Sequence, residues 1–275
     1  MQTSITQNAN NQKQIAESDR LQELEIKLAE LFHEELNSSN SIFLKVSDRV
    51  VHMAALFLSG CTSRPCAIGI AGETASGKST IALDIINTIQ EYAGKNNLHD
   101  VITRINTDDY YYDRSDMVKA AGSFAEFAKH YDLDVPEALE LNLMKQHIQE
   151  LLKGKNVMLP EYDMSGTAKR TDNVKLATPS NIIISEGLFT LTPKIIDAFD
   201  FKIYVHVSHD IQKERFYRRA EERGLGSSSD EVYENALSKA KIHIRPTIDK
   251  ADIVLSGESD RAAYRVFINK VLNLL

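Results

Sequence analysis

Apolar positions recur in two rhythms along the chain. Leu21, Leu24, Ile26, Leu28, Leu31 and Phe32 fall roughly on one helical face, with Glu and Lys between them. Ser18-Asp19 is placed to cap that helix, and Asn37-Ser-Ser-Asn40 breaks it. A second helix is predicted from near Ser47-Asp48, with Val50, Val51, Met53, Ala54 and Leu56 to Leu58 inside and Gly60 at its end. Residues 1–17 are rich in Asn, Gln, Ser and Thr, have little to bury, and read as a disordered tail. Residues 18–60 then form a helical extension, expected to pack against the main domain; a partner surface is the other reading.

Over residues 61–275 short apolar runs alternate with helical patterns, which predicts one α/β domain with a parallel sheet covered on both faces. The predicted strands are Cys66–Ala71, Val101–Ile105, Val157–Leu159, Asn181–Ser185, Phe201–Val207 and Asp252–Leu255. The predicted helices are Ser79–Tyr92, Pro136–Leu152, Asp210–Arg223 and Arg261–Leu275. No internal repeat interrupts the alternation.

Between the first of these strands and the helix after it lies Gly72-Glu-Thr-Ala-Ser-Gly77-Lys78-Ser79, which fits G-x-x-x-x-G-K-[ST] in the strand–loop–helix context that gives the motif its meaning. Gly72 and Gly77 permit unusual backbone angles and close approach to oxygen atoms. The loop amides of Glu73, Thr74, Ala75 and Ser76 and the helix start through Thr80 then face phosphates. Lys78 is expected to reach the β- and γ-phosphates of ATP, and Ser79 to ligate Mg2+. An Asn-Lys-x-Asp element for guanine is missing, since Asn269-Lys270 continues as Val271-Leu272. The Ser185-Glu186-Gly187 strand end differs from the Asp-ended strand of ATPase motors.

Composition narrows the partners. Of 275 residues 43% are hydrophobic and 26% charged, so a large core is available, and the net charge of −7 disfavours nucleic acid and anionic membranes as partners. No apolar run reaches the roughly 18 residues that span a bilayer, and the N-terminus has no apolar signal core. Cys61 and Cys66 lack the spacing of a zinc site or disulfide framework and read as thiols, as suits the cytoplasm.

Five further segments carry a resemblance. They are Asn106-Thr-Asp-Asp-Tyr-Tyr-Tyr112, Tyr131-Asp-Leu-Asp134-Val-Pro136-Glu-Ala, Leu159-Pro-Glu-Tyr162-Asp163, Ile184-Ser-Glu186-Gly187 and Arg215-Phe-Tyr-Arg218-Arg219. In this order, behind the P-loop, the chain from about 66 to 256 resembles the uridine kinase and phosphoribulokinase family. The resemblance implies a P-loop NTPase three-layer sandwich and transfer of the ATP γ-phosphate to the hydroxyl of a small molecule, with a nucleoside as the expected acceptor. It places the base on Asp108 and leaves Asp109 variable; a loop-capping role is the alternative for both. It places Mg2+ on Ser79 and Glu186, and the acceptor on Asp134, Tyr162 and one of Tyr110 to Tyr112, taken as Tyr111. Asp134 is equally placed to cap a helix at Pro136, and Tyr162 to be a core residue. Arg215, Arg218, Arg219 and Arg223 share a helical face and are expected to close over the triphosphate, Arg218 as the catalytic one; a solvated face paired with Glu214, Glu221 and Glu222 is the alternative. Gly224-Leu-Gly-Ser-Ser-Ser229 suits a mobile lid.

The chain departs from the family in one respect that bears on the acceptor. Uridine kinases place a histidine shortly after the Tyr-Asp pair, and Tyr162-Asp-Met-Ser-Gly-Thr-Ala-Lys-Arg170 has none; the lid is also short. Pantothenate, sugar phosphates and glycerate therefore stay open as acceptors, as do GTP as donor and a homo-oligomer as the assembly. His206, His209 and His243 show no ligand spacing and read as structural. From another class, a catalytically weak nucleotide-binding module acting through a protein partner competes, and the intact set Lys78, Ser79, Asp108 and Glu186 speaks against it.

Overall fold

The computed structural model describes residues 2–60, 64–222, 224, 226 and 229–275, with side chains from residue 15 onward. Cys61, Arg223, Leu225, Ser227 and Ser228, which carried part of the thiol and lid expectations, lie outside the described residues. The P-loop strand β2 (Cys66–Gly72) is central in a six-stranded sheet. With β1 (Phe43–Val46), β3 (Ile102–Asn106), β6 (Ile182–Glu186), β7 (Phe201–His206) and β8 (Ile253–Ser256) the order is β1-β8-β7-β2-β6-β3. All neighbours pair in parallel except β1, which runs antiparallel to β8.

Alternation along each strand explains why both faces are covered. Ala67, Ala71, Ile183, Tyr204 and Val254 enter one core, with α6 (Leu141–Leu152). Ile70, Ile184, Ile203, Val205, Ile253 and Leu255 enter the other, with α3 (Lys78–Lys95) and α9 (Arg261–Leu272). On β2 the first face is small because the ring of Phe199 lies there: a Cβ on Gly69 would sit 2.7 Å from it.

The N-terminal extension is more deeply integrated than its helical pattern suggests. Helix α1 (Gln2–Leu36) is continuous from Gln2, where an irregular tail to residue 17 and a cap at Ser18 were expected. No Gly or Pro interrupts residues 2–36, and Asn, Gln, Ser and Thr lower helix propensity without forbidding a helix. Leu24, Leu28 and Phe32 are buried. Phe32, Phe43 and Phe267 form a ring cluster with centroids 4.8–5.3 Å apart, which joins α1, β1 and α9. β1 is a strand absent from the sequence expectation. Helix α2 (Arg49–Leu58) comes next, and Arg49 pairs with Asp252 at 2.9 Å. Residues 15–20 are exposed, so deleting residues 1–17 should shift the melting temperature by less than about 2 °C. A loss of several degrees in a thermal melt would refute this.

Two other expectations change. Val157–Leu159 is not in the main sheet: β4 (Val157–Tyr162) forms a separate hairpin with β5 (Arg170–Ala177). The strand after the P-loop helix, β3, pairs with β6, which lies between it and β2. The helix expected over 136–152 is split into a 3-10 turn at Pro136–Ala138, an extended Leu139, and α6. The split has a cause, since Tyr112 N–H donates to the Ala138 carbonyl and Glu140 N–H to that of Tyr110. These bonds hold the tyrosine segment against residues 138–140. The described residues also include α4 (Ser115–Ala121), α5 (Phe124–Ala128), α7 (His209–Glu222) and α8 (Ser229–Lys239). None of the described helices is long and apolar enough to cross a membrane.

Candidate active site

The phosphate loop leaves β2 at Gly72, where a Cβ would lie 2.6 Å from Ser76 Oγ and 2.7 Å from the Val205 carbonyl oxygen. Gly77 adopts φ 92°, and Ala75 is left-handed as well at φ 58°, a conformation that costs about 1 kcal/mol without glycine. Such strain is tolerated where it shapes a site. The N-terminus of α3 at Lys78 adds free amides at its positive end. Ser76 Oγ is buried, with no partner among the described residues. This cradle fits a polyphosphate.

Opposite the loop, the end of β6 brings Glu186, only 4% exposed. Its Oε2 accepts from Ser79 Oγ at 2.9 Å, so a hydroxyl and a carboxylate oxygen stand side by side. Hard oxygen donors so placed fit a Mg2+ ion held by one carboxylate, one hydroxyl and phosphate oxygens. Gly187 is required by the packing: a Cβ there would sit 2.4 Å from Thr107, whose Oγ1 donates to the Glu186 carbonyl at 2.7 Å. Thr107 opens the 3-10 turn Thr107–Tyr110, which carries Asp108.

Asp108, Lys78 and Glu186 share one electrostatic environment. Burial depresses the Lys78 pKa, against the opposing pull of Asp108 and Glu186. Burial raises the Asp108 pKa; Lys78 opposes this and Glu186 adds to it. Asp109 is also raised by burial, and accepts a long 3.5 Å bond from the Tyr162 amide. Neither aspartate caps the turn; Asn106 does, accepting from the Asp108 amide at 3.3 Å.

The expected acceptor residues lie next to this group. Tyr111 is buried, and its phenol is pushed far up by burial and by the nearby Asp108 and Asp134 carboxylates. Its ring lies 5.2 Å from that of Tyr162. Tyr110 is a core residue bonded to His147 Nδ1 at 2.9 Å. Asp134 does not cap the following turn, whose N-cap is Val135 without a side-chain bond. Instead Asp134 borders an open cleft of about 150 Å3, together with Thr74, Leu188, Phe216, Arg219 and Lys239. Burial and Asp132 raise its pKa, while Lys239, paired with Asp132, lowers it.

Helix α7 crosses the loop. Arg219 donates to Thr74 Oγ1 at 2.7 Å and Arg215 to the Gly257 carbonyl at 2.9 Å, so neither rests on the acidic residues of its own helix. Arg218 is exposed in this arrangement, and Thr80 is an exposed first-turn residue of α3. Three loop supports had no sequence signal. Gly257 approaches the loop so closely that a Cβ would meet the Ser76 carbonyl oxygen at 2.2 Å. Arg245 clamps Glu73 at 2.8 and 3.1 Å, and Gln212 donates to the Thr74 carbonyl at 3.0 Å. Arg104, also unforeseen, donates to Glu186 Oε1 at 2.9 Å. His243 packs edge-on against Phe189, and no group of three or more His, Cys, Asp or Glu side chains suited to a metal occurs among the described residues.

This geometry can be set beside known proteins. The profile of the Phosphoribulokinase / Uridine kinase family matches residues 67–262. The chain belongs to that family. It is 34% identical over 219 residues to a uridine kinase of Clostridium perfringens, covering 77% of this chain and 97% of that one. Among solved structures, phosphoribulokinase from Rhodobacter spheroides superposes with a TM-score of 0.52 at 17% identity, over 71% of each chain. A D-glycerate 3-kinase from Cryptococcus neoformans gives 0.50 at 13% identity, over 87% of this chain and 96% of that one. These two share the fold. The chain is thus an ATP-dependent small-molecule kinase of the P-loop class, and the family uses ATP with a divalent metal.

Proposed function

We propose that the protein transfers the γ-phosphoryl group of ATP to a hydroxyl of a nucleoside-like acceptor, without the narrow pyrimidine preference of uridine kinases. The observation that carries this reading is a grouping of side chains. Lys78 is an electrostatic neighbour of Asp108, Tyr111 is one of both Asp108 and Asp134 and packs on Tyr162, and Asp134 and Thr74 border one cleft. Asp108 takes the proton from the acceptor hydroxyl, and Asp134 accepts hydrogen bonds from neighbouring hydroxyls. Lys78, Arg215 and Arg219 face the transferred group and offset its charge. Arg218 joins them on closure of α7. Ser79 and Glu186 hold Mg2+, which neutralises phosphate charge when bound.

Acceptor selectivity turns on the loop after Tyr162. Thr167 donates its hydroxyl to Asp163 Oδ2 at 2.6 Å, and Lys169 is half-exposed beside Asp172. Neither replaces an imidazole, which both donates and accepts. A site with no buried group matched to a base edge discriminates weakly. Uridine, cytidine, purine nucleosides, pantothenate and glycerate should be offered with ATP, and the products identified by mass spectrometry. Nucleosides are expected to react, with kcat/KM for uridine and for purine nucleosides within about tenfold. Turnover of pantothenate or glycerate alone would refute the nucleoside reading. Exclusive use of uridine would refute the argument from the loop.

A further inference from the structure

Both oxygens of Glu186 are taken by the protein: Oε2 accepts from Ser79, and Oε1 accepts from Arg104 Nη2 at 2.9 Å. The two partners of this ion pair differ in depth. Glu186 is buried, whereas the Arg104 side chain is 38% exposed on the edge strand β3. The guanidinium therefore reaches a buried anion from the solvent side, and can leave without opening the core. Alternation along β3 puts Arg104 on the face of Ile102, which packs with α3, the helix whose first turn holds Ser79. Its charge is also felt at Asp108 and Asp109.

A carboxylate this deep needs a counter-charge. A guanidinium hydrogen-bonded to Oε1 uses the lone pairs that a metal ion, or a water on that ion, would use. A dication beside it would also meet a like charge at short range. The two cations thus compete for Glu186.

We propose that Arg104 is a placeholder counter-ion: it holds Glu186 in the nucleotide-free protein and yields it only to a divalent cation that arrives with nucleotide. This rests on the reading of Glu186 as the metal-holding residue. The polyphosphate brings the extra negative charge that shifts the exchange toward the metal. Metal and nucleotide then enter as one complex, and free metal does not load the site.

Direct binding of Mn2+ to the full chain, followed by electron paramagnetic resonance, tests this. Without nucleotide, Arg104→Met should bind Mn2+ at least about tenfold more tightly than the unmodified protein, and Arg104→Lys should not. With a non-hydrolysable ATP analogue bound, the unmodified protein and Arg104→Met should agree within about twofold, because the polyphosphate charge then outweighs that of the guanidinium. Arg104→Gln, which keeps a neutral donor, serves if methionine destabilises the edge strand, and should also bind more tightly. Equal nucleotide-free affinities overturn the proposal even where Glu186→Gln weakens Mn2+ binding in the analogue complex. Undiminished binding by that Glu186→Gln complex overturns the metal role of Glu186 itself, and the proposal with it.

Discussion

Lys78→Ala is expected to lower product formation by roughly a thousandfold or more while the protein stays folded. The activity loss comes from position. Lys78 is the first residue of α3, next to the left-handed Gly77, and its ammonium shares the site with Asp108 and Glu186. An ammonium there is aimed at the charge that develops on the transferred phosphoryl group, in surroundings that screen it poorly. Stability should change little, because burial works against the charged form of Lys78, so removing the ammonium also removes a desolvation penalty. A thermal melt within about 2 °C of the parent, together with steady-state rates, checks both halves. A folded Lys78→Ala protein with undiminished turnover would refute the assignment of the phosphate loop.

Much of this site was legible in the sequence because its parts are local. The phosphate loop, the Glu186-Gly187 strand end and the Asp108 turn each lie at the end of an apolar run, and such runs are what a buried parallel strand looks like. What was hidden depends on contacts between distant residues. β1 has only four residues and becomes a strand by pairing with β8, about 200 positions away. β5 reads RTDNVKLA, is exposed over most of its length with Val174 and Leu176 included, and pairs as a strand with β4, so no one-sided apolar pattern marks it. The place of β6 between β2 and β3 cannot be read from apolar runs, which carry no strand order. Arg245 and Arg104 are ordinary surface residues in the sequence; each matters because folding brings it to one acid, Glu73 or Glu186. The α1 start failed differently. Residues 2–17 have few apolar positions, Ile5 and Ile15 among them, but also lack any helix breaker, and a helix beginning beyond them extends through.

Lid chemistry illustrates the limits of face-counting. Arg215, Arg218 and Arg219 are neighbours on α7, yet contacts at the loop come from Arg215 and Arg219. Helical spacing sets which residues share a face within about a third of a turn. It does not fix which of them meets Thr74 or Gly257, since that depends on how the helix lies across the loop.

The second large effect is expected at Asp108. Asp108→Asn should lower kcat by about a hundredfold to ten-thousandfold and leave the KM for ATP within about twofold. Asp109→Asn should cost less than about tenfold, because Asp109 faces the Tyr162 amide, while Asp108 shares Lys78 and Glu186. An asparagine keeps the shape and the turn, which Asn106 caps, but cannot take a proton from the acceptor hydroxyl. The pH profile adds an independent sign. Burial raises the Asp108 pKa above the ordinary carboxylate value, and the base works only when ionised. The rate should therefore be full above that raised pKa and fall as pH drops through it, so the acid limb lies above the ordinary aspartate range. In Asp108→Asn the residual rate should lose this limb, while Asp109→Asn keeps it. If Asp109→Asn gives the larger fall in kcat and removes the limb, the proton passes to Asp109 and the roles of the two carboxylates are reversed.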